Sequence, residues 1–233
     1  MRERCYECFR PKNACFCEAI PSIDNRTNVL ILQHVCERYH AFNTARIVHK
    51  ALQRCELLVD HNRNFAGRSL PIAPNAGLLY LHSDAKLLDD LAPHERPDQL
   101  VIIDGTWHQA KTIVRDTPQL SSLPCYRLSP TSPGQYRIRR EPDAQSLSTV
   151  EATVAALRAL EPETAGMAQL LRAFHQMVET QLGHPETHAV WRSRKDRDRR
   201  VRKIPRALEQ DGVDLVVAYG EATPSMPGLS SPT

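Results

Sequence analysis

Four cysteines stand within the first seventeen residues, Cys5, Cys8, Cys15 and Cys17, in the spacing C-x2-C-x6-C-x-C. Four soft ligands on tight turns, with Phe9, Arg10, Pro11 and Phe16 among them, are what a tetrahedral zinc site requires. The alternative is a pair of disulfides. Cys15 and Cys17 are too close in sequence to pair with each other comfortably, and seven cysteines is an odd number. The opening residues carry no apolar leader run, so the expected setting is reducing and cytoplasmic. The spacing therefore predicts a zinc-binding module over residues 1–24. Many such modules grip nucleic acid, which sets how the rest of the chain is read.

The remaining length is enough for one good-sized core. With 41% hydrophobic and 24% charged residues, the 233-residue chain is neither disordered nor membrane-spanning in composition. No apolar run approaches the roughly 20 residues that a membrane helix needs. The net charge of +3 hides an uneven distribution. Residues 207–233 contain Glu209, Asp211, Asp214 and Glu221 and no Lys or Arg, so the first 206 residues carry 30 bases against 23 acids. A moderately basic body is compatible with an RNA or phosphate-bearing partner.

Short apolar runs alternate with stretches of helical spacing. Strands are predicted at 28–33, 56–60, 77–82, 100–104, 125–128 and 136–139, and helices at 44–53, 84–91, 107–115, from Ser148 onward, and 164–182. Ser83 is the expected N-cap of the helix at 84–91. Ser148 and Glu151 fit the S-x-x-E capping box, in which hydroxyl and carboxylate each satisfy a helix-start amide. Continuous apolar strands separated by helices indicate a mostly parallel α/β sheet covered on both faces. The catalytic domain is expected over residues 25–191, followed by a basic segment and a disordered tail over 192–233.

Three motifs have the character of a site. The first is D-G-T-W, Asp104 to Trp107, directly after the most apolar strand. Ligands collect at the carboxyl ends of strands in open α/β sheets. The alternative is that Asp104 or Thr106 merely caps the next helix while Trp107 packs inward. The second runs from Ser129 through Pro130, Ser132 and Gly134 into a strand bearing Tyr136, Arg137, Ile138, Arg139 and Arg140. Arginines there suit a bidentate hold on carboxylate or phosphate, or else a charged edge strand. The third is L-S-T-V-E-A at 147–152, where Leu147, Ser148, Thr149 and Glu151 begin a helix whose amides can face an anion. A weaker cluster, His34, Glu37, Asn43, Thr44 and Arg46, follows the first strand. None of the ten histidines has a metal-ligand spacing. From Arg192 to Arg206 there are nine bases and two acids, Asp196 and Asp198, which make either a solvated end or an arm for phosphates.

Taken in order, the cysteine spacing, D-G-T-W, Y-R-I-R-R-E-P at 136–142 and L-S-T-V-E-A at 147–152 resemble the DTW-domain family, the tRNA-uridine aminocarboxypropyltransferases. The resemblance covers the chain from Cys5 to Trp191. It implies transfer of the 3-amino-3-carboxypropyl group of S-adenosylmethionine to N3 of a tRNA uridine, in the variable loop, with release of methylthioadenosine. It also implies a SPOUT-like core with a C-terminal knot. On this reading Asp104, Thr106 and Trp107 are catalytic. Ser129, Pro130, Ser132, Tyr136, Ile138, Arg139, Arg140, Leu147, Ser148, Thr149 and Glu151 enclose the cofactor. One departure is visible: the family tends to H-P-x-E after the first strand, whereas Val35 here stands in place of the proline, leaving His34 and Glu37. Two alternatives are a SPOUT-type RNA methyltransferase and a zinc-bearing RNA-binding module without catalysis.

Overall fold

A computed structural model describes residues 3–8, 10–38, 43–129 and 147–183. Its centre is one six-stranded sheet built from β1 (Asn28–His34), β2 (Cys55–Asp60), β3 (Ala76–Leu79), β4 (Lys86–Leu87), β5 (Gln99–Asp104) and β6 (Cys125–Arg127). The spatial order is β2-β1-β5-β3-β6-β4, and every pairing is parallel. Parallel strands need crossovers and are covered on both faces, which is why β1 and β5 are apolar almost throughout.

Alternation along the strands sorts the core into two halves. Val29, Ile31, Leu100 and Ile102 face α1 (Thr44–Ala51), α5 (Thr149–Leu160) and α6 (Met167–Leu182). Leu30, Leu32, Val101 and Ile103 face the other way, toward α2 (Asn62–Gly67), α3 (Trp107–Asp116) and α4 (Pro118–Ser121). The result is a helix–sheet–helix sandwich, as the apolar runs predicted.

The positions of β1, β5, α1, α3, α5 and α6 agree with the sequence reading to within three residues. The segment at 84–91 does not form the predicted helix. Lys86 and Leu87 pair instead with Tyr126 and Arg127 as an edge strand, and a single 3-10 turn, Leu88–Asp90, follows. Leu88 is fully buried there, so sheet pairing and burial override the helical spacing of its leucines. Ser83 donates to the Asp84 carboxylate rather than capping a helix. Two short helices, α2 and α4, were not foreseen, because each offers one buried apolar residue, Phe65 and Leu120. The strand expected at 136–139 and much of the C-terminal half in which a knot was expected fall outside the described residues, as does the basic run from Arg192.

Candidate functional site

Two adjacent inner strands, β1 and β5, send the chain in opposite directions. From β1 it passes through α1 on one face to β2; from β5 it passes through α3 on the other face to β6, beyond β3. Adjacent parallel strands whose connections diverge leave a crevice between their carboxyl ends, the usual ligand position in open α/β sheets. Gln33 and Asp104 are register partners at that point. Because Ile31 and Ile102 face α1 and α5, Gln33 and Asp104, two residues further on, face the same way.

Side chains from four elements, β1, the cap of α1, β5 and α5, meet there. Gln33 Nε2 donates to Asp104 Oδ2 at 2.8 Å and to Asn43 Oδ1 at 2.9 Å, while Asn43 Nδ2 donates back to Gln33 Oε1 at 3.1 Å. Gln33 is only 1% exposed, so this paired-amide arrangement is held in a low-dielectric interior. Asn43 is also the N-cap of α1, its Oδ1 accepting from Arg46 N at 2.9 Å. The second oxygen of Asp104 accepts a hydrogen bond from the Thr149 hydroxyl at the start of α5. Thus the expected site residues Asp104 and Thr149 are brought into contact. Gln33 was missed: a polar residue closing an apolar strand was its only signal.

Gly105 is closely surrounded by side chains. A β-carbon there would lie 3.0 Å from Gln109 Oε1 and 3.4 Å from His34 Cβ. The cap of α3 is Thr106, not Asp104: Thr106 Oγ1 accepts from Gln109 N at 3.3 Å, and Gln109 Oε1 accepts from Thr106 N at 2.7 Å. The carboxylate of Asp104 is therefore not spent on helix capping. Trp107 is half-buried and meets Tyr80 edge-on with centroids 6.3 Å apart. Ser148 and Glu151 form the capping box of α5, with Ser148 N donating at 2.8 Å to Glu151 Oε2 and Glu151 N at 3.3 Å to Ser148 Oγ. Leu147 is buried beside them and Ser129 is exposed at the end of the β6 segment. Pro130, Ser132, Tyr136, Ile138, Arg139 and Arg140 fall outside the described residues.

On the other side of β1, His34 opens a one-turn 3-10 helix, Val35–Glu37, with its Nδ1 accepting from Cys36 N at 3.2 Å. Its ring contacts His61 at 5.8 Å. Burial first, and then the neighbouring His61, lower its pKa from the ordinary 6.5, which favours the neutral imidazole.

The cysteines converge as the spacing predicted. An antiparallel bridge between Arg4 and Pro11, and Cys5 N donating to Arg10 O at 2.7 Å, fold the first two ligands back on the turns that carry the second two. All four sulfurs lie within 4.8 Å of one another, with Cys5–Cys17 at 3.9 Å and Cys8–Cys15 at 3.8 Å. Thiolates about 2.3 Å from a tetrahedral zinc would sit about 3.8 Å apart, so the donor set and its size fit that ion. Without a cation the four groups are unequal. Backbone amides of Cys8 and Glu7 bring Cys5 down to about 6, whereas burial raises Cys8 and Cys17. A divalent ion removes that conflict by stabilising several thiolates together. The module is packed on the body: Phe16 and Ile20 join the larger core, Arg10 stacks 5.2 Å over the Phe16 ring, and Arg10 Nη2 lies 3.0 Å from Met177 Sδ of α6. The seam between module and body is tight. Cys8 and Cys17 line it from one side and Asn43, Arg46 and Lys50 from the other, around a cavity of about 20 Å³.

The DTW domain matches residues 2–182 of the chain. The tRNA-uridine aminocarboxypropyltransferase 2 of Drosophila melanogaster is 31% identical over 190 residues, covering 78% of this chain and 76% of that protein. Its namesake from Macaca fascicularis is 29% identical over 193 residues, covering 78% of this chain and 65% of that protein. The tRNA-uridine aminocarboxypropyltransferase A of Arabidopsis thaliana is 27% identical over 217 residues, covering 77% and 81%. No solved structure matches. Among the described residues no helix is long and apolar enough to cross a membrane. With a match that runs from the cysteine cluster to the end of α6, the chain belongs to the DTW-domain family of transferases.

Proposed function

We propose that this chain modifies tRNA by moving the 3-amino-3-carboxypropyl group of S-adenosylmethionine to N3 of a uridine in the variable loop. The observation that carries this reading is Asp104, held by Gln33 and Thr149 at the crevice where β1 and β5 diverge. The names of the relatives support the same substrate and group.

The sulfonium donor supplies three electrophilic carbons, and the site selects among them by geometry. The N3–H bond breaks, the bond from N3 to the methionine γ-carbon forms, and the carbon–sulfur bond breaks with its electron pair going to sulfur. Methylthioadenosine leaves as a neutral thioether. Orientation supplies most of the rate in such a displacement, and a carboxylate fixed through both oxygens is suited to it. Asp104 accepts or orients the imide proton of uracil. Thr149 and the capped start of α5 keep that carboxylate from turning away. Trp107, half-buried at the start of α3, offers a ring face to adenine or to an unstacked uracil. Arg139 or Arg140 hold the methionine carboxylate, and the loop from Ser129 through Pro130 and Ser132, with Tyr136, Ile138 and the 147–149 stretch, closes over the cofactor. Cys5, Cys8, Cys15 and Cys17 hold one zinc ion, and the basic segment beyond Trp191 holds phosphates in a cytoplasmic enzyme.

The test is mass spectrometry of nucleosides from tRNA incubated with the chain and S-adenosylmethionine. A uridine heavier by the aminocarboxypropyl group, with methylthioadenosine released, is the expected result. A methylated base with adenosylhomocysteine would replace this reading by methyl transfer. Unaltered tRNA that nevertheless binds would leave an RNA-binding module.

A further inference from the structure

The cysteine module was read from sequence as a grip for RNA, but its packing points inward. Asn43 is the residue that two systems share. It lines the seam against Cys8 and Cys17, and its amide holds Gln33, which holds Asp104. Asn43 Nδ2 also reaches the carbonyls of Glu37 and Arg38 at 3.1 and 3.2 Å, so the same side chain ties the turn after β1 to the start of α1. Asn43 and Gln33 are 7% and 1% exposed. Buried, mutually satisfied amides have few alternative partners, and a shift of one is felt by the next.

From this we infer that the cysteine module is a positioning device for the active-site carboxylate: the seam seats the first turn of α1, Asn43 orients the Gln33 amide, and Gln33 sets Asp104. The inference rests on the function proposed above and adds Asn43 and Gln33 to it as positioning residues. A metal-loaded module keeps Cys8 and Cys17 fixed at the seam; a stripped one releases that wall and lets the capped turn at Asn43–Arg46 loosen. The consequence is a module whose loss lowers turnover before it lowers RNA affinity.

The experiment is hydrogen–deuterium exchange by mass spectrometry on the full chain, before and after removal of metal with a chelator. Faster exchange is expected both at residues 44–47, where Arg46 N is capped by Asn43, and at residues 104–109. A second arm uses Asn43→Asp, which retains an acceptor for Arg46 N and leaves the cysteines untouched but cannot donate to Gln33. It should keep its metal and the protection of 44–47, loosen 104–109, and lower kcat on the order of tenfold with KM for tRNA unchanged. Metal removal that unfolds the chain would make the module a folding element and overturn its positioning role, while this variant still decides the link from Asn43 through Gln33 to Asp104. Unchanged exchange at 104–109 in both arms, or a loss explained wholly by a higher KM for tRNA, would overturn the inference. A wild-type chain that modifies no uridine would defeat the proposed function, while the exchange coupling of 44–47 to 104–109 would still be read directly.

Discussion

Thr149 at the start of α5 donates its hydroxyl to Asp104 at the end of β5, 45 residues earlier in the chain. The contact ties the D-G-T-W and L-S-T-V-E-A motifs into one site, although neither spacing nor composition relates them. It also fixes what a change at Asp104 can reveal.

Asp104→Asn should fold. The amide oxygen still accepts from Gln33, the Thr149 hydroxyl can turn to accept from the amide nitrogen, and the cap of α3 belongs to Thr106. Stability should change by no more than about 1 kcal/mol. Binding of S-adenosylmethionine should persist while turnover falls by roughly 10²–10⁴-fold, the range of a positioned base. Arg139→Ala should instead weaken cofactor binding. Calorimetry and single-turnover rates separate the two, and a fully active Asn variant would remove Asp104 from the mechanism.

Elemental analysis should find about one zinc per chain, lost in the Cys8→Ser, Cys17→Ser double variant. Cys36, Cys55 and Cys125 should be dispensable for metal. Among the described residues the four N-terminal cysteines bring their sulfurs together, whereas Cys36, Cys55 and Cys125 belong to no such cluster. Metal content that survives the double variant would defeat the assignment.

His34 should make stability fall on acidification. Its folded pKa lies below the ordinary 6.5, so the unfolded chain takes up the proton first. The contribution of the neutral ring is complete above about pH 6.5 and is eroded as pH falls from there through the folded value. Denaturation at pH 7.5 and 5.5 should show a larger drop for the wild type than for His34→Gln. An NMR titration midpoint for His34 at or above 6.5 would contradict this.

Truncation before Arg192 removes nine bases. Binding to tRNA should weaken and the slope of log Kd against log salt should flatten, because fewer counterions are released. Unchanged affinity and slope would make the segment a solvated end and place the RNA surface elsewhere.

Much of the fold was legible because β1 and β5 are parallel strands buried along nearly their whole length, and a strand of that kind announces itself by unbroken apolar residues such as Leu100 to Ile103. Pairing was not legible. Gln33 and Asp104 are 71 residues apart, and only the sheet order makes them neighbours. For that reason Gln33 read as the unremarkable end of a strand. The leucines at 87, 88 and 91 misled in the opposite sense: their spacing suits a helix, but β6 offered Lys86 and Leu87 a ladder. The cysteine cluster was legible because its ligands are local, whereas its docking through Arg10, Phe16 and Ile20 depends on where α6 passes.

The face-to-face placement of Gln33 and Asp104 follows from strand register, with Ile31 opposite Ile102 and Leu32 opposite Ile103 behind them. A carboxylate aimed by register is as stiff as the sheet that carries it. An incoming ligand meets that end of the crevice already ordered, so less of its binding energy is lost to freezing side chains. Any insertion of one residue in β1 or β5 would turn the two polar groups to opposite faces. Loops at this site can vary in length; β1 and β5 cannot.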